Sequence, residues 1–170
     1  KKRALLITLR KITLWLLILS GLLTGLVFLS ALFLDQVPMW ITPIITLLTF
    51  LFALSHAGQN LGVKKAILLL VTVFVVSVSF ESIGVATGVI YGPYHYTAEM
   101  LGPKIFGLVP LLIPVAWFMM TYASFALAEI LVPTRIISKG LGWFGVAALS
   151  GVMMTAWDLA MDPLMVAGGH

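Results

Sequence analysis

Three carboxylates in or at the end of apolar stretches are the residues of this sequence best suited to chemistry. Glu81 lies in a predominantly apolar stretch between Lys65 and Ile90. An ionisable side chain at bilayer depth costs about 2.5–3.5 kcal/mol on insertion scales, so such groups face a bundle interior or a cavity and usually mark function. Asp158 and Asp162 close a second apolar segment. We therefore take these three acids as candidate catalytic residues.

The spacing around the acids indicates what each one faces. Asp158 and Asp162 are four residues apart and share one helix face. Gly84 and Gly88 follow Glu81 at i+3 and i+7 on its own face, which predicts a strip without side-chain bulk. A flat apolar ligand or a neighbouring helix fits such a strip. The alternative is that each acid is a protonated structural group that hydrogen-bonds across helices.

Aromatic residues provide the candidate binding surface. The segment 91–96, Tyr-Gly-Pro-Tyr-His-Tyr, is either an interfacial aromatic belt or a lid over the outer mouth of a cavity. Trp117 and Trp157 fall inside predicted helices, where they either pack or offer ring faces that stabilise a developing carbocation. The candidate substrate-binding residues are Gly84, Gly88, Tyr91, Tyr94, Tyr96, Trp117 and Trp157.

Composition excludes several classes of protein. The chain is 61% hydrophobic and 9% charged with a mean hydropathy of +1.14, whereas soluble domains carry about 25% charged residues. The absence of cysteine excludes disulfides and thiolate metal sites. His56 and His95 lack the i,i+4 pairing and the numbers that histidine-rich di-iron membrane oxygenases need, so we predict no metal. The basic residues cluster at helix ends, which indicates no nucleic-acid partner.

Five apolar segments are long enough to cross a bilayer, which takes about 20 residues. They run roughly over 12–34, 40–61, 66–90, 105–132 and 141–162. The sequence therefore predicts an all-α, polytopic transmembrane helical bundle that forms a single integral membrane domain over 1–170. Because the chain begins without Met and stops at Gly-Gly-His, we expect it to be the N-terminal and central part of a longer protein.

The basic residues predict the orientation and the depth of the acids. If all five segments span, nine of the ten Lys and Arg fall on one side and Lys104 alone on the other. The positive-inside rule then places the N-terminus in the cytoplasm. At 1.5 Å per residue, Glu81 lies about 22 Å and Asp158 about 25 Å from the cytoplasmic ends of their helices. We therefore predict that Glu81, Asp158 and Asp162 converge on one cavity in the outer half of the membrane.

Three groups of motifs stand out in the C-terminal half of the chain. They are FESIGVATGVIYGPYHY at 80–96, LGPK at 101–104 with the glycine and prolines up to Trp117, and the WD and DP pairs at 157–163. In this combination they resemble a known family, the membrane-integral carotenoid hydratases. The family includes bisanhydrobacterioruberin hydratase and γ-carotene 1′-hydratase. The resemblance covers roughly 80–170, whereas the first 60 residues are similar only as apolar helices.

The resemblance implies hydration of the terminal double bond of an acyclic, ψ-end carotenoid to a tertiary alcohol, without a cofactor, in a prokaryotic cytoplasmic membrane. The residues are compatible with that chemistry. Hydration needs an acid that protonates the alkene, a second carboxylate that accepts a proton from water, and aromatic faces near the cation. Glu81 as acid and Asp158 as base is one assignment, and the reverse is nearly as good.

Two other functions fit the same residues. The first is a carotenoid-binding or accessory subunit of a larger pigment–protein complex, with membrane-protein partners or a homo-oligomeric state. The second is a small proton-coupled transporter that uses the acids as a relay. The transporter is disfavoured because the sequence has neither repeats nor paired interrupted helices. The expected partners are a carotenoid ligand and the lipid bilayer.

Overall fold

The computed structural model describes residues 2–33, 41–89, 92–96, 102–133 and 141–167, with the side chains of 2–6, 31, 141 and 162–167 left out. Within these ranges the chain forms five helices and one short hairpin. The elements are α1 (Lys2–Phe33), α2 (Ile41–Asn60), α3 (Val63–Thr87), β1 (Lys104–Ile105), β2 (Val109–Pro110), α4 (Leu112–Leu131) and α5 (Leu141–Ala167).

The five helices of the described ranges are all long and apolar enough to cross a membrane, which confirms the predicted transmembrane helical bundle. Valine, isoleucine and threonine crowd α3, although these residues favour strands in water. In hydrocarbon the backbone must satisfy its hydrogen bonds within the segment, so a helix forms regardless of this preference. The large apolar side chains exposed along α1 and α5 then face lipid.

A cluster of buried side chains joins α2, α3 and α4. Ala53 and Ala57 of α2 meet Ala66 of α3 and the rings of Phe118 and Tyr122 of α4 in one buried cluster. Small residues allow the helix backbones to approach closely, which is how helices associate in membranes. Helix α1 packs along α2, and α5 packs along α4, so these two helices flank the central three.

A short hairpin occupies the start of the predicted fourth segment, and α4 begins at Leu112 rather than near 105. Strands β1 and β2 pair antiparallel, and the N–H of Leu111 donates to the carbonyl of Pro103 at 2.9 Å. Proline at 110 disfavours helix at the residue before it, so the helix starts only after it. Pro114 falls in the first turn of α4, where no N–H partner is lost.

Candidate functional site

The Glu81 carboxyl is buried and receives hydrogen bonds from three side chains. The residue is 6% exposed. The hydroxyls of Tyr94 and Tyr96 donate to Oε2 at 2.6 Å and 2.7 Å, and the indole Nε1 of Trp117 donates to Oε1 at 3.0 Å. We call these four residues the Glu81 cluster. Its members come from α3, from α4 and from residues 92–96, which we call the tyrosine loop.

The two oxygens of this carboxyl differ in how they can handle a proton. An indole N–H only donates, so Oε1 accepts from Trp117 whatever the charge of the carboxyl. A tyrosine hydroxyl both donates and accepts. A proton on Glu81 therefore belongs on Oε2, where it can be shared with Tyr94 or Tyr96. Oε2 and the two hydroxyls form a continuous path for a proton.

The end of α3 turns the chain back over its own last turns. Gly88 caps the helix in the left-handed conformation with φ of 66°. A Cβ at this position would lie 3.3 Å from the backbone nitrogen of Pro93. Glycine is thus needed both for the positive φ and for the close approach. This return brings Tyr94 and Tyr96 to the Glu81 carboxyl.

The β1–β2 hairpin supports the tyrosine loop from the other side. The Lys104 ammonium donates to the backbone carbonyl of Tyr96. Strand β2 packs against α3, and both of its residues, Val109 and Pro110, are buried. The hairpin therefore links α3, α4 and the tyrosine loop, which limits the freedom of the two hydroxyls that contact Glu81.

Tyr96 is held as a hydrogen-bond donor by its surroundings. Burial raises the pKa of its hydroxyl above the ordinary value, and the Glu81 carboxyl beside it adds to the rise. The ring of Tyr94 meets the ring of Tyr96 edge to face, with centroids 5.6 Å apart. The hydroxyl of Tyr96 consequently keeps its proton through the physiological pH range and donates a hydrogen bond to Glu81.

The cluster contains four of the residues singled out from the sequence: Glu81, Tyr94, Tyr96 and Trp117. The two tyrosine hydroxyls contact Glu81, and the choice between a lid and an interfacial belt stays a prediction. Trp117 contacts the acid through its N–H rather than through the ring face expected of a cation-stabilising residue. Of the two glycines predicted to line a ligand strip, Gly84 is buried and Gly88 forms the helix cap.

The remaining predicted residues lie on α5 or outside the described residues. Asp158 is half-buried on α5, and Trp157 beside it is 55% exposed. Helix α5 packs on α4, where the Thr121 hydroxyl donates to the sulfur of Met154 at 3.4 Å. The convergence of Asp158 with Glu81 stays a prediction. Tyr91 and the side chain of Asp162 lie outside the described residues.

An apolar groove of about 300 Å³ runs below the Glu81 cluster between α2, α3 and α4. Phe74 precedes Glu81 by seven residues, which is two helical turns and about 10 Å along the axis. The two side chains therefore project from the same face of α3. The groove is lined by Phe50, Leu70, Val71, Phe74, Val75 and Val115. No residue of the Glu81 cluster lines the groove, and the buried residues Ser77 and Val78 lie between the groove and the acid along α3.

A second polar cluster, which is partly buried and which the sequence analysis missed, lies nearer the α2–α3 connection. The His56 Nδ1 is 2.8 Å from the Tyr122 hydroxyl, and the Asn60 amide donates to the same hydroxyl at 3.4 Å. The Gln59 amide donates to the Thr13 hydroxyl at 2.6 Å. We call the set the His56 cluster; its members are Thr13, Ser55, His56, Gln59, Asn60 and Tyr122. The succession of polar residues near the end of α2 was the available signal.

Fold and site together define a multi-pass membrane protein whose buried carboxyl is held by hydroxyl and indole donors between two central helices. Comparison with protein families then gives the particular assignment. The sequence model described as carotenoid biosynthesis protein matches residues 41–170, well over half of the chain, so this chain belongs to that family. The matched range includes the whole Glu81 cluster. No curated protein and no solved structure matches the chain.

Proposed function

We propose that this protein hydrates the terminal carbon–carbon double bond of an acyclic-end carotenoid to a tertiary alcohol, and that the Glu81 cluster carries the proton. The observation that supports this most is a buried carboxyl with two hydroxyls on one oxygen, in a chain of the carotenoid biosynthesis family. Such a group can deliver or accept a proton inside hydrocarbon without a cofactor. The membrane role follows from the five apolar helices of the described ranges.

Hydration requires the transfer of one proton to the alkene and the loss of one proton from the added water. A proton adds to the CH carbon of the terminal double bond, which leaves a tertiary cation on the neighbouring carbon. The oxygen of water bonds to that carbon, and the second proton of the step leaves to a base. We propose that the first proton comes from Oε2 of Glu81. It reaches the alkene either directly or through the hydroxyl of Tyr94 or Tyr96, which gives up its own proton as it receives one from Glu81. Asp158 is the proposed base.

The apolar groove provides the proposed place for the hydrocarbon chain of the substrate. Its lining is entirely apolar, and its α3 wall continues on the face that carries Glu81. A linear polyene that lies along this face would place its end beside the cluster. Cavities for apolar ligands have this form, with a mostly apolar lining and a few convergent polar groups at one end.

Ser82 provides a buried polar group one residue after the acid on α3. Its Oγ is buried and has no hydrogen-bond partner among the described residues. A buried polar atom without a partner is uncommon in native proteins, and functional sites are one place where it occurs. We propose that this hydroxyl binds the incoming water or the product alcohol. Ser82→Ala should then reduce hydration several-fold while leaving the amount of protein in the membrane unchanged.

The orientation of the chain belongs to the same proposal. With the N-terminus in the cytoplasm, the tyrosine loop and the hairpin lie at the outer surface, and Glu81 lies in the outer half of the bilayer. Water for the reaction then enters from that surface. A prokaryotic cytoplasmic membrane suits this arrangement.

The test is expression in a host that makes lycopene, followed by analysis of the pigments. We expect the appearance of a product that has gained one water and carries a tertiary hydroxyl at an end of the chain. The same host with the empty vector is the control. Unchanged lycopene at good protein levels, with carotenoid copurifying with the protein, would replace hydration by a carotenoid-binding role.

A further inference from the structure

A pocket of about 350 Å³ opens beside the His56 cluster, well away from the site proposed for hydration. Its walls come from α1 and α2, and α1 lies outside the range that matches the family. The lining combines one cation, several hydrogen-bonding groups and three apolar side chains. The lining residues are Arg10, Thr13, Leu14, Leu17, Phe52, His56, Gln59 and Asn60.

The charge of this pocket is positive. Arg10 is exposed and, within the part of the chain that the structure describes, takes part in no ion pair. Lys11 follows it on α1, and Lys64 and Lys65 begin α3 at the same end of the bundle. A guanidinium presents a planar fork of donors that matches the oxygens of a phosphate. The pocket is therefore suited to an anion, and Arg10 is its main contact.

The polar groups are ordered before any ligand binds. The His56 ring lies against the Tyr122 hydroxyl, and the Gln59 amide is held by Thr13. Asn60 is exposed at the mouth of the pocket and keeps part of its amide accessible. Pre-ordered donors lower the cost of fixing a polar ligand.

The apolar side of the pocket indicates that the anion carries a hydrocarbon chain. Leu14 and Leu17 follow Arg10 along α1 by one and two turns, and Phe52 precedes His56 by one turn on the antiparallel α2. The lining thus changes from charged to apolar in the direction of the bilayer centre. Basic pockets between transmembrane helices near a membrane surface bind anionic lipid headgroups in this way.

We propose that this pocket binds the phosphate headgroup of an anionic membrane lipid, with Arg10 on the phosphate and the lipid chain against Leu14, Leu17 and Phe52. A soluble phosphate would satisfy the same donors but not the apolar wall. Bound lipid would bridge α1 and α2 and stabilise the fold, because a ligand that binds only the native state raises its stability. The proposal is independent of the hydration proposed for the Glu81 cluster.

The test measures thermal unfolding of the purified protein in detergent while phosphatidylglycerol is added. We expect Tm to rise with phosphatidylglycerol and to change little with phosphatidylcholine of the same chains or with inorganic phosphate. Arg10→Gln should raise the phosphatidylglycerol concentration for half of the shift by about fivefold, the value of one basic residue at a membrane surface. Lys11→Gln is the matched control, because Lys11 is exposed and does not line the pocket.

Three results would overturn the proposal. If Arg10→Gln and Lys11→Gln weakened the response to phosphatidylglycerol equally, the lipid would be attracted by diffuse surface charge rather than bound in a pocket. Equal stabilisation by both lipids would mean a general bilayer effect, and full stabilisation by inorganic phosphate would make the occupant a soluble anion. Asn60→Ala, at the exposed mouth of the pocket, provides a second variant. It should also weaken the stabilisation by phosphatidylglycerol and leave the response to phosphatidylcholine unchanged.

Discussion

The Glu81 cluster and the His56 cluster are both sets of polar side chains packed between apolar helices, yet they are built in opposite ways. In the Glu81 cluster, three donors from the loop and from α4 converge on a single carboxyl. In the His56 cluster, polar groups on α1, α2 and α4 bond to one another across the helix contacts. The first arrangement surrounds one ionisable group with donors, and the second joins helices.

Apolar packing separates the two clusters along α4. Trp117 belongs to the first cluster and Tyr122 to the second, and Phe118 between them is fully buried. The Phe118 ring stacks on Tyr122, with 6.3 Å between the centroids, and its edge meets Phe50. A layer of aromatic side chains conducts no protons, so the clusters should act independently. Substitutions in one should leave the other unchanged.

The largest expected effect is that of Glu81→Gln. Hydration should fall by at least about a hundredfold, because an amide has no acidic proton to exchange with the two tyrosines. The fold should persist, since the amide oxygen can accept from Trp117 and its nitrogen can donate to a hydroxyl. Conversion of lycopene at equal protein level is the measurement. Glu129→Gln is the matched control, because Glu129 is exposed near the end of α4. Wild-type conversion by Glu81→Gln would remove Glu81 from the mechanism.

The next largest effect concerns the hydroxyls of the tyrosine loop. Tyr94→Phe and Tyr96→Phe should each reduce hydration by about tenfold to a hundredfold, since a hydrogen bond to a charged group contributes about 1.5–3 kcal/mol. His95→Ala between them should have little effect, because His95 is exposed. The initial rate of product formation distinguishes the three variants. Equal losses from all three would indicate that the loop matters only as a cover.

A smaller effect on activity, with a clear loss of stability, is expected for Gly88→Ala. The substitution adds strain at positive φ, about 1–2 kcal/mol, and a contact with Pro93 that must give way. Gly92→Ala is the control, because its φ of 81° brings the same strain but nothing lies within 4 Å of the added Cβ. The difference in Tm between the two variants measures the cost of the contact between the added Cβ and Pro93. Identical Tm values would mean that a Cβ at position 88 fits against Pro93 without loss of stability.

The sequence predicted the helices and the acid better than the contacts of the acid. Apolar length decides where helices form in a membrane, so all five predicted spans correspond to helices. Two starts differ from the prediction: α1 begins at Lys2, ten residues before the predicted start, and the hairpin replaces the start of the fourth span. An isolated carboxylate such as Glu81 is conspicuous in such a span. Its contact with Tyr94 and Tyr96 depends on the cap at Gly88 and on Pro93, which residue spacing alone does not give.

The His56 cluster shows the limit of sequence reasoning more clearly. His56 was considered only for metal-ligand spacing, and its partner Tyr122 lies 66 residues away in the chain. Helix periodicity places both residues on core faces but does not say which rings meet, because that depends on how α2 and α4 pack. Long-range pairs of this kind follow from tertiary contacts rather than from local pattern.

The smallest expected effect tests the independence of the clusters directly. Tyr122→Phe removes the hydroxyl that meets His56 and Asn60 but keeps the ring that stacks on Phe118. Interhelical hydrogen bonds in membranes contribute about 0.6 kcal/mol on average, so Tm should fall only slightly. Conversion of lycopene should stay at the wild-type level, in contrast to Tyr94→Phe. Loss of hydration in a stable Tyr122→Phe protein would show that protons pass between the clusters and that the aromatic layer does not separate them.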